Sequence, residues 1–592
     1  MAIRDVRTEP LQLSFNCINV FFLLTDEQKN QLINSDAGWF RTHFLPLIPK
    51  DIIAKLYSEK ESVRPAKFAI SHVAALFYVR LTGLTEEEFL VQLPWNLQYQ
   101  FALGIDCWDQ SVNFGRDSFR LLRERFRKYD ATHPGEHIWD SITHTIDMQM
   151  AEKMGLLSIP YNERYKHAFR MDTLMVGMQA TQRPRLDVVY STISICIKLL
   201  LRKKLEIPDE LKHFLEKGDR RSIVYYHGTL KEYIDEGLPV NKEKPDELTQ
   251  NQRKEAITKH RLEALLPKAI ILKEHMIQLK KDNTDEFRLL SRMIDDQTCL
   301  NENGELVVKN KKDILASSLQ TPYEPDATYR FKAGKGYYGY VGYIVDLFNS
   351  EGEGIIVFRD LKNNLYSDQK FMSDFLTNHD SKLRTGENER SFISTDAGFV
   401  SVALNKRSDS LGFDIYCAGV HGKAPDIIFA DFVLSDDCTE ILRCPKGYKP
   451  DRSLLVNKNT NSFRIRFMDK KCASCENMSR CNAQITGTTD KRGSSFVDIS
   501  ESKITAAICI KMRNGQDTQE AQEAQEYINK RNAIEGINGV MRTRYDVDNR
   551  AVSGITFALF NFFTACTCYS WKKYLQYCRK NTNNRDFDSF FS

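Results

Sequence analysis

Two sets of strand-patterned segments are separated by a long block of charged helix, and any fold of this chain has to close that gap. The first, "HAFRMDTLMVGMQA" (residues 167–180), alternates apolar residues with small or polar ones, the period-two pattern of a strand. The second set begins after residue 321, where "GYYGYVGYIVDLF" and "GEGIIVFRDL" are aromatic and β-branched with glycine at the turns. Between them "RLDVVYSTISICIKLLLRKKL" reads as a helix. Residues 205–318 are highly charged and helical, with "KEAITKHRLEALLPKAIILKEHMIQLKKD" the clearest amphipathic run. That block has the character of an insertion.

At 592 residues the chain is too long for one hydrophobic core, so several domains are expected. Residues 1–60 carry short apolar runs broken by polar turns. From 65 to 130 the periodicity is helical: "PAKFAISHVAALFYVRLTGL" stops at a glycine, "TEEEFLVQL" starts on a capping threonine, and "DQSVNFGRDSFRLLRERFRKYD" is strongly basic. A helix-turn-helix DNA-binding module and a plain helical bundle share this signature.

The net charge of +4 is small for the length and makes no global case for nucleic acid. Locally the balance shifts: Ile441–Gly515 holds fifteen Lys and Arg against six Asp and Glu, which suits a phosphate-rich partner. The opening "MAIRDVRTEP" lacks the pattern of a signal peptide. The membrane-like run "AVSGITFALFNFFTACTCYSW" (551–571) is interrupted by Asn561, Ser and Thr and follows a charged helix, so a buried C-terminal helix or hairpin packing on a core is expected instead of a span. Of fourteen cysteines, Cys17, Cys107, Cys196 and Cys299 stand isolated, as reduced thiols of a cytoplasmic protein would.

Three other cysteines cluster. Cys472, Cys475 and Cys481 lie in "CASCENMSRC", and Cys444 stands upstream in "RCPKGY", where Pro445 and Gly447 favour a knuckle-like turn. Four thiolates with this spacing suit a tetrahedral structural Zn2+ that would hold a loop-rich, basic subdomain together. Reduced thiols buried near one another are the alternative reading. An all-cysteine site leaves no open position for catalysis.

Carboxylates supply the remaining chemistry. Two-metal phosphoryl transfer needs a few of them converging on two cations, and Mg2+ prefers oxygen ligands while keeping several waters. Asp172 sits in the first strand ("FRMDT") and Asp396 ends a later one ("STDAGF"). Glu535 lies in "EYINKRNAIEGINGVMRTRY" (526–545), where Tyr527, Arg531, Glu535 and Arg542 fall on one side of a helix. A preceding stretch, "NGQDTQEAQEAQ", reads as a disordered linker.

These three neighbourhoods resemble those of bacterial insertion-sequence DDE transposases, which carry a ribonuclease-H-like catalytic core. "FRMDT" is similar to the family's first-aspartate strand and "STDAGF" to its second-aspartate motif. "RNAIEGINGVMRTRY" is similar to its third motif, with Arg531, Glu535 and Arg542 at matching positions. Two departures stand out: Tyr527 is displaced by one residue, and Arg542 replaces a more usual lysine. The resemblance extends to "TPYEPDATYRFKAGKGYYGYVGYIVD" and to "RLTGLTEEEFLVQLPWNLQYQFALGI".

The resemblance implies an α/β (α+β) protein with a ribonuclease-H-like mixed sheet flanked by helices. Its segments would be 1–60, a helical DNA-binding or dimerisation domain at 61–160, a core from 161–202, 321–440 and 520–592, a helical insertion at 203–320 and a zinc-binding insert at 441–519. It further implies two Mg2+ ions on Asp172, Asp396 and Glu535, with Tyr527, Arg531 and Arg542 on DNA phosphates. The partners would be double-stranded DNA, as transposon ends and target, and a second copy of the chain, in the bacterial nucleoid and with no membrane. A structure-selective nuclease on the same core, and a non-catalytic DNA-binding descendant, remain alternatives.

Overall fold

The computed structural model describes residues 3, 20–58, 66, 68–105, 114–240, 247–332, 334–384, 386, 389–419, 424–457, 461–468, 471–486, 494–550 and 553–581; Cys17 and Cys107 lie outside them. The gap between the strand-patterned segments is closed by one mixed, six-stranded sheet. Its strands are β1 (Tyr165–Gly177), β2 (Thr328–Lys332), β3 (Lys335–Phe348), β4 (Gly354–Asn363), β5 (Arg390–Thr395) and β6 (Phe413–Cys417). β1 lies antiparallel to β3 and parallel to β5, β6 continues parallel to β5, and β2 and β4 pair antiparallel with β3.

The helices that matter here are α1 (Ala69–Thr82), α2 (Ser118–Thr132), α3 (Ile138–Lys153), α4 (Arg185–Arg202), α5 (Gln250–Gln278), α6 (Asp285–Gln297), α7 (Asp368–Asn378), α8 (Glu501–Asn514), α9 (Thr518–Lys530), α10 (Asn532–Thr543) and α11 (Ile555–Asn581). Strand parity puts helices on both faces of the sheet. Phe169 of β1 packs edge-on to Phe375 of α7, whereas Asp172, of opposite parity, faces α10. On that second side Gly342 of β3 lets α11 come close, since a Cβ there would meet the Phe562 ring at 2.6 Å. Gly339, at φ +134°, turns β3 where its Cβ would strike the backbone of residues 176–178.

The membrane-like run forms most of α11, whose Phe562, Cys566, Cys568 and Trp571 are buried in the central core. Among the described residues no helix is long and apolar enough to cross a membrane. The N-terminal helices α1–α3 belong to the same continuous apolar core as the sheet and α11. The basic helix α2 is partly neutralised where it lies: Arg123 pairs with Glu86, Arg127 with Glu124 and Arg120 with Asp117.

The charged block has its own core, built from α4, α5, α6 and the turns around Leu211, Phe214 and Val224. Helix α4 packs there although the core segment was expected to run through residue 202; its buried face of Leu186, Val189, Ile193, Ile197 and Leu200 meets α5 and α6. Within the basic segment a second, four-stranded sheet is formed by β7 (Arg452–Asn457), β8 (Ser462–Phe467), β9 (Gln484–Thr486) and β10 (Ser494–Ser500), and it shares a small core with α8. The expected linker is largely helical, because Asp517 accepts a hydrogen bond from the Glu520 N–H at 2.9 Å and the Gln, Glu and Ala that follow are good helix formers.

Buried charges fasten these parts. Glu324, fully buried, accepts hydrogen bonds from Arg550, Tyr340 and the backbone N–H groups of Ala180 and Gly554, so one carboxylate joins the end of β1, β3 and the entry to α11. Replacing one partner strands the other in a dry site. Glu324→Ala is expected to lower unfolding free energy by about 3–5 kcal/mol in denaturant titration, and the Glu324→Leu/Arg550→Met pair is expected to recover only part of it, since the Tyr340 hydroxyl and the Ala180 and Gly554 N–H groups still lose their acceptor. A loss under about 1 kcal/mol would show the pair is dispensable.

Candidate active site

The parallel register of β1 and β5 sets two of the three acids side by side. It runs from Ala168 beside Phe392 to Arg170 beside Ser394, and the same offset two residues on brings Asp172 level with Asp396. The Thr395 hydroxyl donates to the Met171 carbonyl at 3.4 Å, which carries the pairing to the strand end. Glu535 is supplied by α10, which packs across β1.

Arg531 ties all three together. Its Nη2 donates to Asp396 Oδ2 at 2.8 Å and lies 3.7 Å from Asp172 Oδ2, while Nη1 reaches Glu535 Oε1 at 3.3 Å. The guanidinium is enclosed, with its side chain 10 % exposed, and its Nε is buried without a partner. The acids grade from inside to outside: the side chain of Asp172 is 11 % exposed, that of Asp396 44 % and that of Glu535 66 %.

Asp172 is the most constrained of the three. Its Oδ1 accepts from the Thr173 N–H at 2.8 Å and its Oδ2 from Asn538 Nδ2 at 3.0 Å. Burial drives its pKa above the ordinary carboxylate value, and Asp396 pushes the same way, while the Thr173 N–H and Arg531 oppose the rise. Asn538 is a contact that reading the sequence missed. It stands three residues after Glu535, hence on the same helix face, and its Oδ1 is buried without a partner beside the acids. Lys332, next to the β2–β3 turn, is a further cation whose field reaches Asp172.

The basic residues of the expected stripe divide. Arg531 is the single residue between α9 and α10 and keeps helical angles (φ −58°, ψ −36°), while its N–H bonds the Ile528 carbonyl three residues back, a local tightening between Tyr527 and Glu535. Tyr527 is 4 % exposed and packs among Tyr165, Phe392 and Tyr416, with its hydroxyl accepting from Asn162 Nδ2 at 3.1 Å. A ring so enclosed is a core residue with no face for a phosphate. Arg542 is exposed, and its Nη2 donates to the Met175 carbonyl of β1 at 3.0 Å.

Cys444, Cys472, Cys475 and Cys481 line one small cavity of about 30 Å³. The expected turn is present: the Gly447 N–H donates to the Cys444 carbonyl at 2.7 Å, with Gly447 at φ +82°. Burial pushes the Cys481 thiol up to about 11, and the neighbouring Cys475, Cys444 and Cys472 add to it. Cys472 is raised for the same reasons. Even so, among the described residues no three His, Cys, Asp or Glu side chains stand at metal-binding spacing, in the thiol group or the acid group. Scans against protein-family models, curated proteins and solved structures find no match for the chain.

The raised pKa of Asp172 has a sign that can be measured. The folded state favours the protonated carboxyl, so that contribution to stability is full below the ordinary carboxylate pKa and is lost as pH rises through the higher folded value. Asp172→Asn mimics the protonated form. It is expected to be more stable than the parent at neutral pH, the gap closing as pH falls to the ordinary carboxylate range. A thermal melt series across that range reads it, and a variant less stable at neutral pH would contradict the assignment.

Proposed function

We propose that this chain is a DNA transposase of the DDE type with a ribonuclease-H-like core, cutting transposon ends and joining the freed 3′-OH to target DNA. One observation carries the reading: Asp172, Asp396 and Glu535, separated by hundreds of residues, meet around a single guanidinium. They come from a strand, the end of its parallel neighbour and a helix across the sheet, and so gather hard oxygen donors of the kind a divalent cation takes around one point, now held by Arg531.

The donor set fits Mg2+: three carboxylates supply hard oxygens, and the unpartnered Asn538 Oδ1 is a fourth oxygen within the site. Asp172, Asp396 and Glu535 would hold the ions, which when bound neutralise charge developing on the phosphate and favour in-line attack by a hydroxyl oxygen. The chain's own residues have separate tasks. Asn538 and the Thr173 N–H fix the Asp172 carboxylate, and Arg542 presents an exposed guanidinium to the DNA backbone beside it. In the first step water attacks a phosphodiester, breaking the P–O3′ bond to leave a 3′-OH and a 5′-phosphate. In the second that 3′-OH attacks a target phosphodiester, forming one P–O bond as another breaks.

The cysteine segment would serve as a DNA-contacting insert on a structural Zn2+. Four sulfur donors around one cavity have the chemistry for it. The helical N-terminal elements would bind the terminal repeats, and a pair of chains would hold two ends together.

The deciding assay is Mg2+-dependent cleavage and joining of the DNA that flanks this coding sequence. Asp172→Ala, Asp396→Ala and Glu535→Ala are each expected to lose roughly a thousandfold or more in rate while retaining DNA binding. Full activity in any of the three would overturn the assignment, and cutting without joining of pre-cut ends would favour a nuclease. Elemental analysis of the purified protein is expected to find one zinc per chain, lost in Cys475→Ser together with thermal stability; a zinc-free, equally stable parent would contradict the structural site.

A further inference from the structure

We infer that Arg531 is the resident cation of the metal-free acid cluster, which a divalent ion must displace, so that the same side chain both holds the site together when empty and sets the cation concentration at which it fills. The inference rests on the reading of the acid cluster as a divalent-cation site.

Three carboxylates brought this close repel one another, and the cost is greatest for Asp172, which is nearly enclosed. Arg531 offsets it from the middle. No other Lys or Arg is within ion-pair distance of Asp172, Asp396 or Glu535 among the described residues. A guanidinium at 2.8, 3.3 and 3.7 Å from three acid oxygens occupies the space between them.

The position of Arg531 permits displacement. Two of the carboxylates it touches, Asp396 and Glu535, have side chains 44 % and 66 % exposed, so a rotation of the Arg531 side chain toward them carries the guanidinium to solvent with the backbone unchanged. Its Nε has no partner to lose. Once turned away from the acids, the guanidinium is free to take a phosphate oxygen of DNA in the fork geometry arginine favours. Displacement by a divalent ion and capture of DNA phosphate are then linked: each makes the other easier.

The test is Mn2+ binding to the full chain without DNA, by calorimetry and by the loss of the free-ion paramagnetic signal. Arg531→Gln removes the competing charge and is expected to bind Mn2+ about tenfold more tightly than the parent. Arg531→Lys keeps a cation and is expected to stay within about threefold of the parent. Melting in chelator is expected to show Arg531→Gln below the parent, with a larger upward shift on adding Mn2+. Equal or weaker Mn2+ binding by Arg531→Gln, with the parent binding and Asp396→Ala not, would overturn the inference and leave the acid site standing. Mn2+ binding unaffected by Asp396→Ala, or no binding by the parent, would remove both.

Discussion

One guanidinium sits among three carboxylates that mutual repulsion would otherwise spread apart. Everything that positions the site serves this contact. The parallel pairing of β1 and β5 sets Asp172 beside Asp396. Helix α10 lays Glu535 across them, and Arg531, one turn before Glu535, reaches inward between the acids. In an interior of lowered dielectric an uncompensated carboxylate as enclosed as Asp172 is costly, so the arrangement depends on a cation being present. In the proposed cycle that cation alternates between arginine and divalent metal.

The surrounding framework is rigid where the acids are rooted. Arg170, two residues before Asp172, forms a buried pair with Asp346 directly across the β1–β3 ladder. Glu324 and Arg550 clamp the far end of β1 to the entry of α11. The N-terminal helices share this core, so a displacement of α1–α3 would be felt by the sheet. The charged helical block and the cysteine segment have separate cores, which suits parts able to vary in position while the acids stay fixed.

Much of this was legible in the sequence because it is local. Period-two alternation marked β1, aromatic and β-branched runs with glycine turns marked β3 and β4, and the placement of Asp172 within a strand and Asp396 at a strand end was readable from the same patterns. What escaped was decided by distant contacts. The step of four from Tyr527 to Arg531 suggested one continuous face, yet the ring turns into an aromatic cluster formed with β1, β5 and β6. Composition marked "QEAQEAQ" as linker, but Ala524, Tyr527 and Ile528 of that helix are buried on the sheet. Helix α4 follows β1 directly and still packs with the block beyond it. Asn538 carried a signal, its place one turn after Glu535, but its partner Asp172 is hundreds of residues away.

The basic segment adds a separate lesson. Its excess of positive charge is real in sequence, yet Arg464, Arg480 and Lys511 are each paired with a nearby Asp. Surface pairs of this kind are weak and yield readily to phosphate, so they are compatible with a DNA-facing role without demanding it. The acids are a firmer basis for the account. Anomalous diffraction at the manganese edge, from crystals of the chain grown with Mn2+ and end DNA, tests them directly. The account predicts density peaks shared by Asp172, Asp396 and Glu535 with the Arg531 guanidinium moved onto a phosphate; three acids still gathered on Arg531, with manganese elsewhere or nowhere, would contradict it.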